Sequence, residues 1–273
     1  MSQTLRLVSY NLLEGMRPAA PDSAERRHLD RGRVDAATAI VTQLAPDILV
    51  LNEALYCQPH EGRHVDYGDV FSFPHAASAL YDGAWGNAIL SRHPIVEHRE
   101  MRIYNRGGLL VVIATPFGPL TVATYHPHPH RKPAHKADDF ARLVAEIDGP
   151  AMVCGDLNCI NPDDNVDREA LTEAFRSFSK DAEGDVRRFI ESGELVFRRL
   201  AQHGLHDAMP LAGRRHSMPT DLANTNKSSA MRIDHVLCNA LIEIDAGEVV
   251  HSDLTNRASD HHPVTVDFRM PTV

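Results

Sequence analysis

Lysine is scarce in this chain. Lys132, Lys136, Lys180 and Lys227 are the whole complement against abundant arginine, a bias of base composition from which no function follows. Cysteine is equally rare. Cys57, Cys154, Cys159 and Cys238 make no CxxC pair and no zinc-type spacing. They read as small buried side chains in a reducing compartment rather than as disulfides or metal ligands. No apolar run approaches the roughly 18 residues of a membrane span, and the first ten residues lack a basic region followed by an apolar one. The expectation is a cytoplasmic protein with no transmembrane segment. Positive charge is also in deficit: 28 Lys and Arg against 37 Asp and Glu leave a net charge of −9. That balance favours solubility and argues against a non-specific polyanion binder. Seventeen histidines temper the argument below about pH 6.5.

What is present is an ordinary globular composition, 43% hydrophobic and 24% charged, on 273 residues without repeat, low-complexity tract or linker. One domain over residues 1–273 is expected. Residues 5–11 alternate like a strand and end on Asn11. Val34, Ala37, Ile40, Val41 and Leu44 form an amphipathic stripe that predicts a helix over 33–44, closed by Pro46. Residues 47–51 read as a buried strand running into Asn52 and Glu53, which makes a βαβ unit. Residues 57–85 read as a long irregular surface excursion. A strand follows at 86–91, then a hairpin of 108–115 and 120–125 that ends at His126. A helix over 134–147 and a short strand over 151–155 come next. Residues 165–203 have a helical pattern, with Leu171, Phe175, Phe178, Phe189, Ile190, Leu195, Phe197 and Leu200 as inward contacts. After a polar, turn-rich stretch at 212–230, strands are expected at 233–238, 241–250 and 263–268.

The strand ends carry residues that packing does not require. Gly155 breaks the strand 151–155, and Asp156 and Asn158 behind it share a face if the chain stays extended. They stand at a carboxyl end, where open α/β sheets place ligands. Asn11, Glu53 and His126 stand at three more such ends. Asp234 and the pair Asp260-His261 instead precede strands. They meet the others on one edge only if the last strands run antiparallel to the first, as mixed sheets allow. Any one of these residues is more often a cap or turn former than a functional group, but their recurrence at six segments is hard to assign to chance. Hard oxygen donors with few histidines suit Mg²⁺ or Mn²⁺ better than zinc. The chemistry such a set suits is metal-assisted phosphoester hydrolysis. The metal offsets charge on the phosphate and leaving oxygen, a fixed carboxylate orients or deprotonates water, and a histidine held by another carboxylate donates to phosphate.

Ser9-Tyr10-Asn11, residues 47–53, residues 86–91, Thr124-Tyr125-His126, Gly155-Asp156-Leu157-Asn158, Arg232-Ile233-Asp234-His235 and residues 259–263 together resemble the motifs of the endonuclease/exonuclease/phosphatase superfamily, in its order and over nearly the whole chain. That superfamily takes in apurinic endonucleases, DNase I-like nucleases, neutral sphingomyelinases and inositol-polyphosphate 5-phosphatases. The resemblance implies an α/β fold, a four-layered α/β sandwich with two facing mixed β-sheets flanked by helices. It implies Glu53 as the main metal ligand, with Asn11 beside it and Asp260 in support. Asp156 would position or activate water, and Asn158 would hold the phosphate. His261 would face the scissile phosphate with its ring oriented by Asp234. His126 resembles the histidine that phosphodiesterase and phosphatase branches place on the phosphate, where apurinic endonucleases have tyrosine. Asn52 departs from the pattern, since glutamine commonly precedes the metal glutamate.

Several other residues have a structural and a functional reading. His128, His130 and His135 lie in a segment stiffened by Pro127, Pro129 and Pro133, which reads as a solvated or substrate-facing loop rather than a second metal site. His235 and His262 read as packing or supporting groups. Arg106, Lys227 and Arg232 suit either a phosphate contact or a turn. The function expected is a Mg²⁺- or Mn²⁺-dependent phosphodiesterase or phosphatase acting on a small-molecule or lipid-like phosphoester. The alternative, a DNA or RNA nuclease, is less favoured by net charge and needs a basic groove from Arg26, Arg27, Arg31, Arg131 and Lys132.

Overall fold

Asp156 and Asp234 sit opposite each other in an antiparallel ladder, and this register brings the late strands to the edge where the early ones end. The computed structural model describes residues 4–18, 29–54, 65–81, 85–223 and 229–270. Its first sheet contains β1 (Leu5–Asn11), β2 (Ile48–Ala54), β3 (His75–Tyr81), β4 (Trp85–Ser91), β11 (Glu243–Val249) and β12 (Val264–Arg269), in the order β11-β12-β1-β2-β4-β3. The second contains β5 (Ile95–Ile103), β6 (Arg106–Thr115), β7 (Gly118–Tyr125), β8 (Ala151–Asp156), β9 (Leu205–Asp207) and β10 (Asp234–Asn239), in the order β5-β6-β7-β8-β10-β9. Both sheets are mixed. β1 is parallel to β2 and β7 to β8, whereas β12 runs antiparallel to β1 and β10 antiparallel to β8. The antiparallel condition on the last strands is met.

Two-residue periodicity sorts each strand between layers. In β1, Leu5 and Leu7 join Val50, Val122, Met152, Val236 and Phe268 in the core between the sheets. Val8 and Tyr10 face the other way, toward α2 (Arg31–Leu44), where Ala37, Ile40 and Val41 cover them. On the second sheet Ala123, Tyr125, Val153 and Leu237 are covered by Phe140 and Leu143 of α4 (Pro133–Val144) and by Val196 and Leu200 of α6 (Ala182–Gln202). Each such side chain contributes about 1.5–3 kcal/mol on full burial. The layers are helix, sheet, sheet, helix, the DNase I-like α/β sandwich. No helix among the described residues is long and apolar enough to cross a membrane.

Several local expectations change. Within 57–85, the described residues 65–81 hold a short helix, α3 (Tyr67–Phe71), and the whole of β3, rather than an irregular excursion. β3 is an edge strand of small residues, and its order comes from the ladder with β4, not from its own pattern. β5 is likewise unexpected, because Glu97, His98, Arg99 and Glu100 are all exposed and give no alternation. The 165–203 block splits into α5 (Arg168–Phe175) and α6, each started by an aspartate, Asp167 or Asp181, whose side chain accepts a backbone N–H. Phe178, between them, is 59% exposed and is not an inward contact. Cys154, Cys159 and Cys238 are free and buried, as read from their spacing; Cys57 lies outside the described residues.

His235 is a packing residue. It is fully buried, edge-on to Phe197, with Nε2 donating to the Cys159 carbonyl at 2.9 Å. Burial, and after it the Arg232 charge, pushes its pKa down to about 4. The unfolded chain takes up this proton through about pH 6.5, the folded chain only near pH 4. The stability contributed by the neutral ring is therefore complete above 6.5 and lost as pH falls to 4. Urea unfolding from pH 7 to pH 4 should show His235→Gln losing up to about 3 kcal/mol less than the parent; parallel pH profiles would count against the buried neutral ring.

Candidate active site

The turn after β1 winds the wrong way. Leu13, Glu14, Gly15 and Met16, here α1 (Leu13–Met16), all have positive φ, from 44° to 64°. Three of them are not glycine, so the turn is strained by roughly 1–2 kcal/mol per residue. Arg33 of α2 offsets this. Its buried guanidinium donates to the carbonyls of Leu12 and Leu13 at 2.6 and 2.9 Å, and to that of Ala258 at 2.9 Å. The turn aims the Glu14 N–H at Glu53 Oε2, 2.8 Å away. Glu53 itself has φ +54°, where the β2–β4 ladder shifts register between Leu51 and Ala54. Burial raises its carboxyl above the ordinary range; the His126 charge opposes that shift and the Asp260 charge adds to it.

Asn52 next to it is the hinge of the site. Its side chain donates to Asn87 Oδ1 at 2.8 Å and to Thr124 Oγ1 at 3.1 Å, and accepts the Asp156 N–H at 2.7 Å. It crosses from the first sheet to the second. Gly155 makes the approach possible, since with φ +134° a Cβ there would lie 2.5 Å from Asn52 Oδ1. Asp156 ends β8 and accepts from Asn11 Nδ2 at 3.1 Å through Oδ2, and from the Asn158 N–H at 2.8 Å through Oδ1. Asp156 and Asn158 do converge, but not on an extended face. Asn158 has φ +48°, and a tight turn, not the pleat, brings its amide round. Asn158 Nδ2 lies 2.9 Å from His126 Nε2 and donates to the Pro127 carbonyl at 2.9 Å; the same His126 nitrogen is 3.3 Å from Asp156 Oδ2. Burial disfavours the charged Asp156, yet His126, His261 and the Asn158 N–H outweigh it and hold the carboxyl below its ordinary range.

The last two segments close the ring. His261 Nδ1 is 2.6 Å from Asp234 Oδ2, while Nε2 points into the cleft, 3.9 Å from both Asp156 Oδ2 and Asp260 Oδ1. Burial works against the imidazolium, but Asp234 and Asp260 prevail and raise its pKa well above normal. Ser259 Oγ donates to the Asn11 carbonyl at 2.7 Å, which ties this segment to β1. Glu53, His126, Asp156, Asn158, Asp260 and His261 line one cleft of about 580 Å³, and Asn11 and Asp234 support it from behind. All eight residues singled out in the sequence are brought together.

Among the described residues, no lysine or arginine forms an ion pair with Glu53, Asp156 or Asp260. A buried carboxylate next to a like charge, with an amide oxygen at Asn11 nearby, is a donor set that fits a hard divalent cation. The other candidates divide. His128 and His130 line the cleft, as does Arg106, whereas His135 is exposed on α4. Arg232 is buried between Asp164 and Asp207, at 2.8 and 2.5 Å, and serves the fold. Lys227 lies outside the described residues. Lys136 joins the site although no motif singles it out. It is fully buried, and its Nζ donates to the Asn158 carbonyl at 2.6 Å; burial brings its pKa down to about 8. Its only sequence signal is a lysine on the apolar side of a helix.

Two facing mixed sheets with an acid-, amide- and histidine-lined cleft at one edge define the DNase I-like class of α/β sandwich. A family model described as the Endonuclease/Exonuclease/phosphatase family matches residues 8–261, and the chain belongs to that family. Comparison with curated proteins finds no significant match. Among solved structures, an endonuclease/exonuclease/phosphatase from Beutenbergia cavernae is similar with a TM-score of 0.70 at 22% identity, over 98% of this chain and 72% of that one. ANGEL2, a 2′,3′-cyclic phosphatase in complex with adenosine-2′,3′-vanadate, is similar with a TM-score of 0.66 at 15% identity, over 98% and 96%. TDP2 from D. rerio, complexed with a single-strand DNA product, gives 0.61 at 14%, over 98% and 99%. These likenesses establish the fold.

Gly155→Ala should cost about 1–3 kcal/mol in urea unfolding, because it adds backbone strain and drives the new methyl into Asn52. An unchanged midpoint would remove Gly155 from the hinge.

Proposed function

We propose that the protein is a divalent-metal-dependent phosphoester hydrolase whose substrate is a small or lipid-like phosphoester with an apolar or aromatic alcohol. The observation that carries this reading is the cleft itself. Part of its lining is Glu53, Asp156, Asn158, His126, Asp260 and His261; another part is the apolar Phe175, Phe178, Phe189, Met218, Met231 and Ile233, with Ser179, Lys180 and Asp185 among them. A charged ester bond with an apolar substituent matches both parts. Phe178 is a large exposed hydrophobe at this wall, its ring against that of Phe175 at 4.7 Å.

Glu53, with Asn11 and Asp260, would hold Mg²⁺ or Mn²⁺, which offsets charge on the phosphate and leaving oxygen when bound. The chain's own groups do the rest. Asp156, kept ionised, orients a water and accepts its proton. Asn158 and His126, side by side and next to Asp156, would contact phosphate oxygens. His261 keeps its proton because Asp234 and Asp260 hold it there, so Nε2 donates to the oxygen on which negative charge grows. Arg106 at the rim offers a further phosphate donor.

A second reading, a nuclease or nucleotide phosphodiesterase, draws on the neighbours. The ligands of the ANGEL2 and TDP2 structures carry bases, and an aromatic wall would also stack a base. A basic groove is less well supplied. Arg131 is committed to Asp139 at 2.7 Å and lies over the Tyr104 ring, and Arg26 and Arg27 are outside the described residues.

Asp156→Ala and His261→Ala should each lower hydrolysis of bis-p-nitrophenyl phosphate by at least about 10²-fold with unchanged circular dichroism. EDTA should abolish parent activity and Mg²⁺ or Mn²⁺ restore it. Parent-like turnover in either variant would remove that residue from the reaction. Phe178→Ala should raise KM for aryl and acyl esters while changing stability by less than about 0.5 kcal/mol. Plasmid cleavage that outruns small-ester turnover and falls steeply with salt would favour the nuclease instead.

A further inference from the structure

Three imidazoles meet away from the cleft lining. His216 comes from the loop after the short turn Leu211–Gly213, His251 from just beyond β11, and His262 from just before β12. One ring nitrogen of each lies within 4.8 Å of the others. The rings of His251 and His262 stack at 3.9 Å and 11°, and His216 stands edge-on to them at 4.4 and 5.6 Å. His262 is buried while His216 and His251 are half-buried, so the group is open to solvent on one side.

Hydrogen bonds assign the tautomers of two rings. His251 Nε2 is 2.8 Å from the His216 carbonyl, which only accepts, so Nε2 carries the proton and Nδ1 the lone pair. Thr255 Oγ1 donates to the Ser252 carbonyl at 2.9 Å and so accepts from His262 Nδ1 at 2.9 Å, which leaves the lone pair on Nε2. An imidazole anchored by one N–H to a protein oxygen, with its other nitrogen bare, is how ligand histidines are held. A cation already rests on one lone pair: Arg215 Nη2 donates to His251 Nδ1 at 3.1 Å. Arg215 is exposed on a long side chain and can withdraw.

We propose that His216, His251 and His262 form a transition-metal site of the Zn²⁺ class, completed by solvent and separate from the carboxylate cleft. Three nitrogen donors select Zn²⁺, Co²⁺, Ni²⁺ or Cu²⁺ over Mg²⁺, the reverse of the preference of Glu53 and Asp260. The ion acts as a clamp. It joins the His216 loop to the start of β12, and the next residue, Ser217, already holds the candidate active site. Ser217 Oγ accepts the N–H groups of Ile233 and Asp234 at 3.0 and 3.1 Å, and its carbonyl accepts that of His262 at 2.7 Å. The site does not depend on which ester the cleft takes.

The test is Co²⁺ titration of the chelator-stripped full chain in excess Mg²⁺, read by visible d–d absorption, together with melting in Zn²⁺. One equivalent of nitrogen-ligated, tetrahedral Co²⁺ is expected, and it should persist in Glu53→Gln. His216→Ala and His251→Ala should each weaken binding at least tenfold and abolish the Zn²⁺-dependent rise in Tm. Arg215→Ala, which removes the competing cation without touching a ligand, should tighten binding severalfold; it keeps the test decisive if a histidine variant folds poorly. Absence of visible bands, bands that survive both histidine substitutions, bands lost in Glu53→Gln, or unchanged affinity in Arg215→Ala would each overturn the site.

Discussion

The amide of Asn52 bonds both sheets of the sandwich beside the candidate site. Asn52 lies two residues before the end of a strand of the first sheet and accepts the N–H of Asp156, which ends a strand of the second. The apolar core between the sheets is larger, but it is non-directional and would tolerate a slide of one sheet over the other. A buried hydrogen bond does not tolerate it, because a separated pair would leave two unsatisfied polar groups out of reach of water. Asn52 therefore sets the spacing between Glu53 and Asp156, and the Asp156–Asp234 register carries that spacing to His261. Glycine at 155 is the condition for the contact.

Electrostatics at this edge is a balance of buried like charges. Glu53 is pushed toward neutrality, Asp156 is held ionised, and His261 keeps its proton. These opposite tendencies within one cleft separate groups that differ little as free amino acids. Among the described residues, no lysine or arginine pairs with Glu53 or Asp260, which each have one imidazole at 3.9 Å, whereas Asp156 has two, the nearer at 3.3 Å. A bound divalent cation would remove the imbalance that burial creates at Glu53.

Strand ends were legible in the sequence because a polar residue after an apolar run is a break in pattern, and six such breaks share few arrangements. The antiparallel return of β10 and β12 followed from requiring that Asp234 and His261 reach the same edge. The edge strand β11 was legible, but β3 and β5 were not: they take their order from neighbours, and Glu97 to Glu100 face solvent. Long side chains that act across the fold were also silent. Lys136 and Arg33 bind carbonyls 22 and 21 residues away in sequence, and nothing in local pattern announces such partners. Asp156 and Asn158 show a subtler gap: alternation predicted their convergence, but a left-handed residue supplies it.

That left-handed residue belongs to a set. Leu13, Glu14, Gly15, Met16, Glu53 and Asn158 all have positive φ, and all lie in or beside the segments that bear the acids and amides. Each non-glycine member costs stability, so the conformation persists only where surrounding bonds over-determine it. Arg33 on the 12–13 carbonyls, Lys136 on the 158 carbonyl and the Glu14 N–H on Glu53 are such bonds. The consequence is a site whose polar geometry is built before any ligand arrives. The aromatic wall differs, since it stands on α5, α6 and the turn between them and leaves Phe178 exposed. On the proposed function, changes in that wall would alter what is bound without disturbing the strained turns, which places chemistry and selectivity in different layers of one sandwich.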